Sequence, residues 1–260
     1  QSMSKFIAIL SPAKTLDMHC LYKAKMSNSR LTSQTKLLAL KMKNCSSLEL
    51  ATLMKISDKL SQLNVERWQA FGDKKNDTAS AVFCFQGQVY KGLDASTLDK
   101  KALDFSQDCI RILSGLYGLL RPLDKIEAYR LEMGTRLKTD KGKNLYEFWG
   151  DAITALLSKD IKKIDAQWVL NLASQEYCKA LNLDQLGVPI INTTFLERSG
   201  GKTRFVSFSA KTARGLMARW LCMSKPKKLD DCKKFNLGGY KFDLSMSENT
   251  TLVFVKNKVA

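Results

Sequence analysis

The sequence predicts one α+β domain in which helices surround a mixed β-sheet. Short apolar runs rich in β-branched and aromatic residues are interspersed with longer amphipathic stretches, without a strict strand–helix–strand repeat. No Gly/Ser-rich linker divides the chain, and 45% hydrophobic with 26% charged residues is an ordinary composition for a folded protein. We therefore expect a single domain over residues 3–260, with Gln1 and Ser2 left from an expression tag.

The expected strands are the short apolar runs at residues 6–10, 82–85, 110–113, 168–172, 190–196, 203–208 and 252–255. The expected helices have apolar residues three and four apart, and they span residues 31–43, 48–56, 65–71, 145–157 and 211–223. No stretch reaches the roughly 20 apolar residues of a membrane-spanning helix, and the N-terminus lacks a signal-peptide pattern. We therefore expect a cytoplasmic protein with no membrane partner.

The cysteines and the lone histidine argue against a metal site. The seven cysteines are widely spaced, and none forms a Cys-x-x-Cys pair: Cys20, Cys45, Cys84, Cys109, Cys178, Cys222 and Cys232. Zinc and iron–sulfur ligands usually come in close pairs. We therefore predict reduced thiols, no stable metal and no cofactor. Hydrolytic Ser-His-Asp or Cys-His chemistry would depend on His19 alone and has little support.

Positive charge is concentrated at the two ends of the chain. The formal net charge is +17, of which residues 1–45 carry +7 and residues 198–260 carry +10, while the middle is neutral. Two basic segments on a neutral body suggest one surface that attracts a polyanion. Nucleic acid is the first candidate.

A short motif occurs twice, each time where an expected strand ends. Ser11-Pro12-Ala13-Lys14-Thr15 follows the first strand, and Ser209-Ala210-Lys211-Thr212 follows a later one. In each copy the serine is expected to cap the next turn and the lysine to lie in that first turn. Free N–H groups beside an ammonium form an anion site. Two ordinary capped turns remain the alternative.

The helix expected at residues 211–223 has a basic face. Lys211, Arg214 and Arg219 fall within one arc of the helical wheel, opposite an apolar face of Ala213, Leu216, Met217 and Trp220. Gly215 lies on the basic side, where the missing side chain would let a ligand backbone approach. This pattern favours phosphate contact over a solvated surface. Further lysines extend the positive field at positions 225, 227, 228, 233 and 234.

The segment 53–60 resembles the helix-hairpin-helix element of DNA-repair proteins, in which backbone N–H groups of a glycine turn bind a phosphate. Lys55 and Ser57 occupy the places of the two glycines, and Lys59 and Arg67 are cations within reach. Asp58 would repel a phosphate while favouring the helix dipole. A plain turn between two helices therefore stays open beside a DNA-binding hairpin.

Two further loops leave expected strands with polar content. The first contains Arg121, Arg130 and Glu132 near the glycines at 115 and 118, which do not form a nucleotide-phosphate fingerprint. The second contains Asn171, Ser174, Glu176 and Tyr177. A lysine nucleophile, Lys14 or Lys211, with Glu132, Asp151 or Glu176 as acid–base partner is an enzymatic alternative.

Together these segments resemble the YaaA family of bacterial peroxide-stress proteins. The matching stretches are residues 11–17, 53–60, 87–92, 113–124, 129–134, 145–150, 171–177 and 210–219, which sample nearly the whole chain. The resemblance implies a cytosolic α+β protein with a positively charged cleft and a helix-hairpin-helix-like element. It also implies DNA binding and a role in limiting free iron during hydrogen peroxide stress. One histidine and scattered cysteines suggest that any effect on iron is indirect.

Three hypotheses follow. The first is a DNA-binding stress protein that contacts the phosphate backbone of duplex or structured DNA, largely independent of sequence, through Lys14, Lys55, Ser57, Lys59, Arg121, Arg130, Lys211, Arg214 and Arg219. The second is an enzyme acting on a nucleobase or nucleotide by lysine-dependent chemistry, with Lys14, Arg121, Glu132, Glu176 and Lys211 around a pocket. The third is an interaction protein whose basic face docks an acidic partner.

Overall fold

The computed structural model describes residues 4–22 and 24–259, so the expected tag residues Gln1 and Ser2 lie outside the described part. The strands are β1 (Phe6–Leu10), β2 (Thr15–Leu16), β3 (Ser27–Asn28), β4 (Thr78–Ser80), β5 (Phe85–Gln86), β6 (Ile110–Ser114), β7 (Gly118–Leu120), β8 (Asp124–Glu127), β9 (Trp168–Leu172), β10 (Ile190–Ser199), β11 (Lys202–Arg204), β12 (Tyr240–Phe242) and β13 (Thr251–Asn257).

The α-helices follow the same chain order. They are α1 (Thr32–Lys43), α2 (Ser47–Met54), α3 (Asp58–Ala70), α4 (Ala81–Cys84), α5 (Gln88–Leu93), α6 (Lys100–Cys109), α7 (Leu145–Trp149), α8 (Ala152–Ile164), α9 (Gln175–Cys178) and α10 (Ser207–Ser224). Short 3₁₀ turns lie at Ala95–Thr97, Leu183–Gln185, Leu229–Lys234 and Leu237–Gly239. Within the described ranges, no helix combines the length and apolar character needed to cross a bilayer.

The main sheet has the strand order β12-β13-β10-β9-β1-β6-β7, with β11 paired to β10. The five strands from β13 to β6 run parallel, and β7, β11 and β12 pair antiparallel. Every residue of the central strand β1 is buried, as its unbroken apolar sequence predicts for a strand covered on both faces. This architecture confirms the predicted α+β fold with a mixed sheet.

The two strands at the centre of the sheet are connected in opposite directions. After β1 the chain next enters the main sheet at β6 on one side, whereas after β9 it enters at β10 on the other side. β1 and β9 are themselves parallel neighbours, with Ile9 opposite Asn171. Such a topological switch point opens a crevice at the carboxyl ends of the strands, which is where open α/β sheets usually bind ligands.

Helices α5 and α10 cross at two glycines. A Cβ atom on Gly215 would overlap the carbonyl oxygen of Val89, and one on Gly92 would overlap the carbonyl oxygen of Thr212. The expectation that Gly215 admits a ligand backbone is therefore wrong, because α5 occupies that space. Because the two helices cross so closely, the position of α10, and with it that of its basic face, is fixed relative to the residues that precede α5.

Three predicted elements differ from the structure. The run at 82–85 is largely the short helix α4, because a four-residue apolar segment has no period that separates helix from strand. The run at 203–208 is divided between the end of β11 and the start of α10. The helix expected at 145–157 is broken at Gly150, whose positive φ of 49° ends α7 before α8 begins.

Candidate anion-binding cleft

A cleft of about 390 Å³ lies at the switch point between β1 and β9. Its wall comes from the loop after β1, the start of α5, the loop after β9 and the first turns of α10. We call it the switch-point cleft and define it by its polar side chains Ser11, Lys14, Glu132, Ser174, Glu176, Lys211 and Arg214.

The floor of the cleft is held by hydrogen bonds between the loops that leave the two central strands. The backbone N–H of Ser174 donates to Ser11 Oγ at 2.8 Å, and Ser11 Oγ donates to Ser174 Oγ at 3.2 Å. The hydroxyl of Tyr90, in α5, donates to the Ser11 carbonyl oxygen at 2.8 Å. One serine thus links β1, β9 and α5, so the positions of the cleft walls depend on each other.

The two Ala-Lys-Thr segments meet in this cleft, since both Lys14 and Lys211 line it. Neither lysine has the local structure that the sequence predicts. Lys14 lies in a loop directly before β2, and Lys211 lies in the second turn of α10, because that helix begins at Ser207 with Val206 as its uncapped N-cap residue. The predicted serine caps are therefore wrong. Strand topology, not helix capping, brings the lysines together.

Arg214 is the least compensated cation of the cleft. It is partly buried, and burial lowers the pKa of its guanidinium. Among the described residues its side chain has no hydrogen-bond or ion-pair partner. A guanidinium offers five N–H donors and loses hydration when it is buried, so an anion that accepts those donors would be bound favourably.

Two carboxylates face the cations and are held in place. Glu132 accepts hydrogen bonds from Arg130 at 3.1 Å and lies 3.9 Å from Lys14 Nζ. Glu176 Oε2 accepts the backbone N–H of Gly134 at 2.9 Å. The lining therefore contains three cations, Lys14, Lys211 and Arg214, and two carboxylates. Arg130, a predicted DNA contact, donates hydrogen bonds to Glu132 and is not among the residues that line the cleft.

Two other predicted contact residues lie outside the cleft. The guanidinium of Arg121 donates to Asp124 Oδ1 at 3.0 Å and to the Asn28 carbonyl oxygen at 2.8 Å. Arg219 donates to the carbonyl oxygens of Leu93 and Asp94 and, at 2.8 Å, to Thr97 Oγ1. Arg219 therefore binds the C-terminal end of α5, where free carbonyl groups attract a cation.

The predicted hairpin residues also lie apart from the cleft, Lys55 and Ser57 in the three-residue turn between α2 and α3 and Lys59 in the first turn of α3. Lys55 adopts the left-handed conformation, with φ 54°, and ends α2. Ser57 Oγ accepts the Leu60 N–H at 3.3 Å and caps α3, as predicted. Lys55 and Lys59 are exposed. Burial, followed by the charge of Arg130, lowers the pKa of Arg67 on the same helix.

Sequence reasoning missed the contribution of the chain before α5. Gln86, Gly87 and Gln88 line the cleft, and Gln88 Oε1 accepts a hydrogen bond from Thr212 in α10. Gly87 has a φ of 131°, in a region that favours glycine, and an added Cβ would lie 3.5 Å from the Ala13 Cβ. Because these residues carry no charge, the glycines at 87 and 92 were the only sequence feature that marked this stretch.

The thiols and acids do not gather into a metal site. Within residues 4–22 and 24–259, no group of three or more His, Cys, Asp or Glu side chains has an arrangement that could hold a metal ion. All seven cysteines are free thiols. Burial raises the pKa of Cys84 and Cys178, and it raises that of Cys232 to about 12.

These features define an α+β protein with a cation-lined crevice at the switch point of a mixed sheet. The chain belongs to a known family, because the family model described as peroxide stress protein YaaA matches residues 6–246. Membership supports a role in the response to peroxide stress.

Three relatives show how far the similarity extends. A UPF0246 protein of Idiomarina loihiensis is 44% identical over 253 residues, which cover 96% of this chain and 98% of that protein. One from Marinomonas sp. is 44% identical over 97% of each chain. One from Chromobacterium violaceum is 43% identical over 97% of this chain and 99% of that protein. The similarity to these relatives therefore covers nearly the whole chain.

Proposed function

We propose that this protein binds DNA during peroxide stress by contacting the phosphate backbone at the switch-point cleft. The observation that carries the proposal is the partly buried guanidinium of Arg214, which has no partner among the described residues and lines the same cleft as Lys211 and Lys14. Phosphate oxygens supply the acceptors that this group lacks. Lysine and arginine contacts to phosphates carry little base information, so binding is largely independent of sequence.

The placement of the cations supports a polyanion rather than an isolated anion. Lys14 belongs to the basic N-terminal segment, and Lys211 and Arg214 belong to the basic C-terminal segment. The cleft brings the two segments together, so a strand bound there lies in their combined field. In this proposal a phosphodiester occupies the cleft, and the neighbouring nucleotides pass over its mouth.

The other predicted contacts take different roles in this proposal. The exposed turn at Lys55, Ser57 and Lys59 serves as a second, helix-hairpin-helix-like contact on the backbone. Arg121, Arg130 and Arg219 are bound to protein acceptors, so they shape the field and hold the structure. The effect on free iron is an indirect consequence of DNA binding, because the scattered cysteines and single histidine provide no close set of iron ligands.

The test is the salt dependence of binding to a labelled duplex of random sequence, followed by fluorescence anisotropy. If three to six phosphates are neutralised, the slope of log K against log salt lies between about −3 and −5, at about −0.9 for each phosphate. A second duplex of unrelated sequence should give the same slope. A flat response would remove the proposal.

A second candidate, an enzyme acting on a nucleobase or nucleotide, is favoured by one observation. Lys14 Nζ lies 3.9 Å from a Glu132 oxygen in a cleft that also holds Ser174 and Glu176, so an amine and a possible proton carrier are adjacent. However, the Lys14 side chain is 66% exposed, whereas activated lysines are usually desolvated. Backbone binding is therefore the better supported function.

Borohydride trapping separates the two candidates. A Schiff-base enzyme would form a covalent adduct with abasic-site DNA on reduction, and Lys14→Ala or Lys211→Ala would abolish it. Phosphate binding predicts no adduct, with each substitution lowering the salt slope by about one. A stoichiometric, lysine-dependent adduct would establish the enzymatic alternative.

A further inference from the structure

A second and larger cavity, of about 580 Å³, lies between α1, α3 and the small sheet formed by β3, β8 and β4. Its wall includes Ala39 and Leu40 of α1, Trp68 and Phe71 near the end of α3, and Ile126 of β8. None of its lining residues belongs to the switch-point cleft. We call it the α1–α3 cavity. Its volume and apolar wall are typical of sites for small amphipathic molecules.

Lysines surround this apolar wall without acidic partners. Lys36 and Lys43 lie two helical turns apart on α1, Lys125 lies on β8, and all three are exposed. Among the described residues none of their ammonium groups has an ion pair. Glu127, a carboxylate in the wall, is occupied by the Gly72 N–H at 2.9 Å and by Asn76 Nδ2 at 2.8 Å. The lysines therefore leave a net positive rim.

One residue of the wall, Trp68, has a hydrogen-bond donor that does not reach the accessible surface of the cavity. Trp68 is fully buried, and its indole N–H has no hydrogen-bond partner among the described residues. Buried polar groups of this kind are normally paired. The apolar wall and the cationic rim together favour a ligand that combines hydrocarbon with an anionic group.

We propose that the α1–α3 cavity binds an amphipathic carboxylate of the fatty-acid type. The hydrocarbon body packs against the wall formed by Leu40, Phe71 and Ile126, where burial of apolar surface favours binding. The carboxylate provides the negative charge that Lys36 and Lys43 lack. A neutral alcohol of the same chain length gains only the apolar contact, and an alkylammonium is repelled by the rim. This site does not depend on DNA binding.

The test is isothermal titration calorimetry with decanoate, decan-1-ol and decyltrimethylammonium, each below its micelle or solubility limit. We expect decanoate to bind with a stoichiometry of one and about tenfold or more tighter than decan-1-ol, because only the anion engages the lysines. We expect no saturable binding of the cation. Equal affinity for the acid and the alcohol, or no binding of decanoate, would overturn the proposal.

Two variants locate the site. Lys36→Ala/Lys43→Ala should weaken decanoate binding about tenfold while leaving that of decan-1-ol unchanged. The control Lys41→Ala/Lys162→Ala removes the same charge from lysines that do not line the cavity, and it should bind as the unaltered protein does. Ala39→Leu, which adds bulk to the wall, should abolish binding with the fold verified by circular dichroism. If both double-lysine variants lost decanoate affinity equally, or if a folded Ala39→Leu protein bound decanoate undiminished, the proposed location of the site would be contradicted.

Discussion

The N–H of Ser174 donates to the side-chain oxygen of Ser11 at 2.8 Å, across 163 residues of sequence. This bond joins the loops that leave β1 and β9, the two neighbouring strands whose connections run in opposite directions. The crevice beside it therefore receives Lys14 from one end of the chain and Lys211 with Arg214 from the other. The contact holds the loop that carries Lys14 against the loop after β9.

Replacing Ser11 by Ala should loosen the cleft. The substitution leaves the Ser174 N–H unpaired and removes the link from β1 to β9, so we expect a loss of about 1 kcal/mol in the free energy of unfolding. DNA affinity should fall severalfold because the loop that carries Lys14 loses its link to the loop after β9. Urea unfolding and anisotropy measure the two effects. The exposed Ser33→Ala is the control, and equal behaviour of both variants would show that the contact is unimportant.

Replacing Gly215 by Ala shows whether helix propensity or the packing of α5 against α10 determines stability at this position. Propensity alone predicts a gain of about 1 kcal/mol, because alanine favours a helix interior. The added methyl group would overlap the Val89 carbonyl oxygen, so we expect instead a loss of about 2 kcal/mol or more as α5 and α10 separate. Chemical denaturation gives the sign directly. A more stable variant would mean that the two helices do not cross so closely.

Asp160 should make the fold sensitive to acid. Its carboxylate accepts Arg30 Nη1 at 2.7 Å and Arg111 Nε at 2.6 Å. Desolvation raises the pKa of Asp160, but the hydrogen bonds and charges of the two arginines outweigh it, and the net pKa lies below its ordinary value of 3.8. The stabilisation is therefore fully present above the ordinary value and is lost as pH falls through the lower, folded-state pKa.

The Asp160→Asn variant measures that contribution. At neutral pH it leaves two arginines without their carboxylate, so we expect a loss of about 3 to 5 kcal/mol. The variant should also lose part of the pH dependence of stability below about pH 4. Urea midpoints across pH test both effects, with exposed Asp184→Asn as the control. An unchanged pH profile would show that Asp160 does not titrate in this way.

The buried thiols should resist hydrogen peroxide. Burial raises the pKa of Cys84, Cys109 and Cys232, so thiolate, the reactive form, is scarce at neutral pH. We expect slow alkylation by iodoacetamide and slow oxidation in the folded protein, and rapid labelling after unfolding in urea. Mass spectrometry counts the modified cysteines. Sulfenic acid forming within minutes at micromolar peroxide would show that a cysteine senses the oxidant directly.

Most strands were predictable because their short apolar runs are rich in β-branched and aromatic residues, and the long helices because their apolar residues recur three and four apart. Five of the seven expected strands lie in the main sheet as predicted, including Phe6–Leu10 and Trp168–Leu172. The strand predictions at 82–85 and 203–208 were wrong. A short apolar run has no period that separates helix from strand, and apolar residues just before the start of a helix resemble the end of a strand.

The sequence predicted the cations that line the cleft, but not the local structure that positions them or the neutral residues beside them. Repetition of Ala-Lys-Thr singled out Lys14 and Lys211, although the expected reason, a capped helix start, was wrong. Neutral Gln88 gave no signal. Arg219 looked like a surface cation on the helical wheel, but a long side chain can turn back to a neighbouring helix, which is a tertiary contact that the sequence of one helix does not contain.

The proposal of DNA binding at the cleft is tested most directly by comparing two triple variants of equal charge. Lys14→Ala/Lys211→Ala/Arg214→Ala removes the cleft cations, and Lys101→Ala/Lys162→Ala/Lys163→Ala removes three exposed lysines outside it. We expect the cleft variant to lower duplex affinity at least tenfold and to reduce the salt slope by about three, with the control near the unaltered protein. Equal loss in both variants, or unchanged binding by a folded cleft variant, would contradict DNA binding at this cleft.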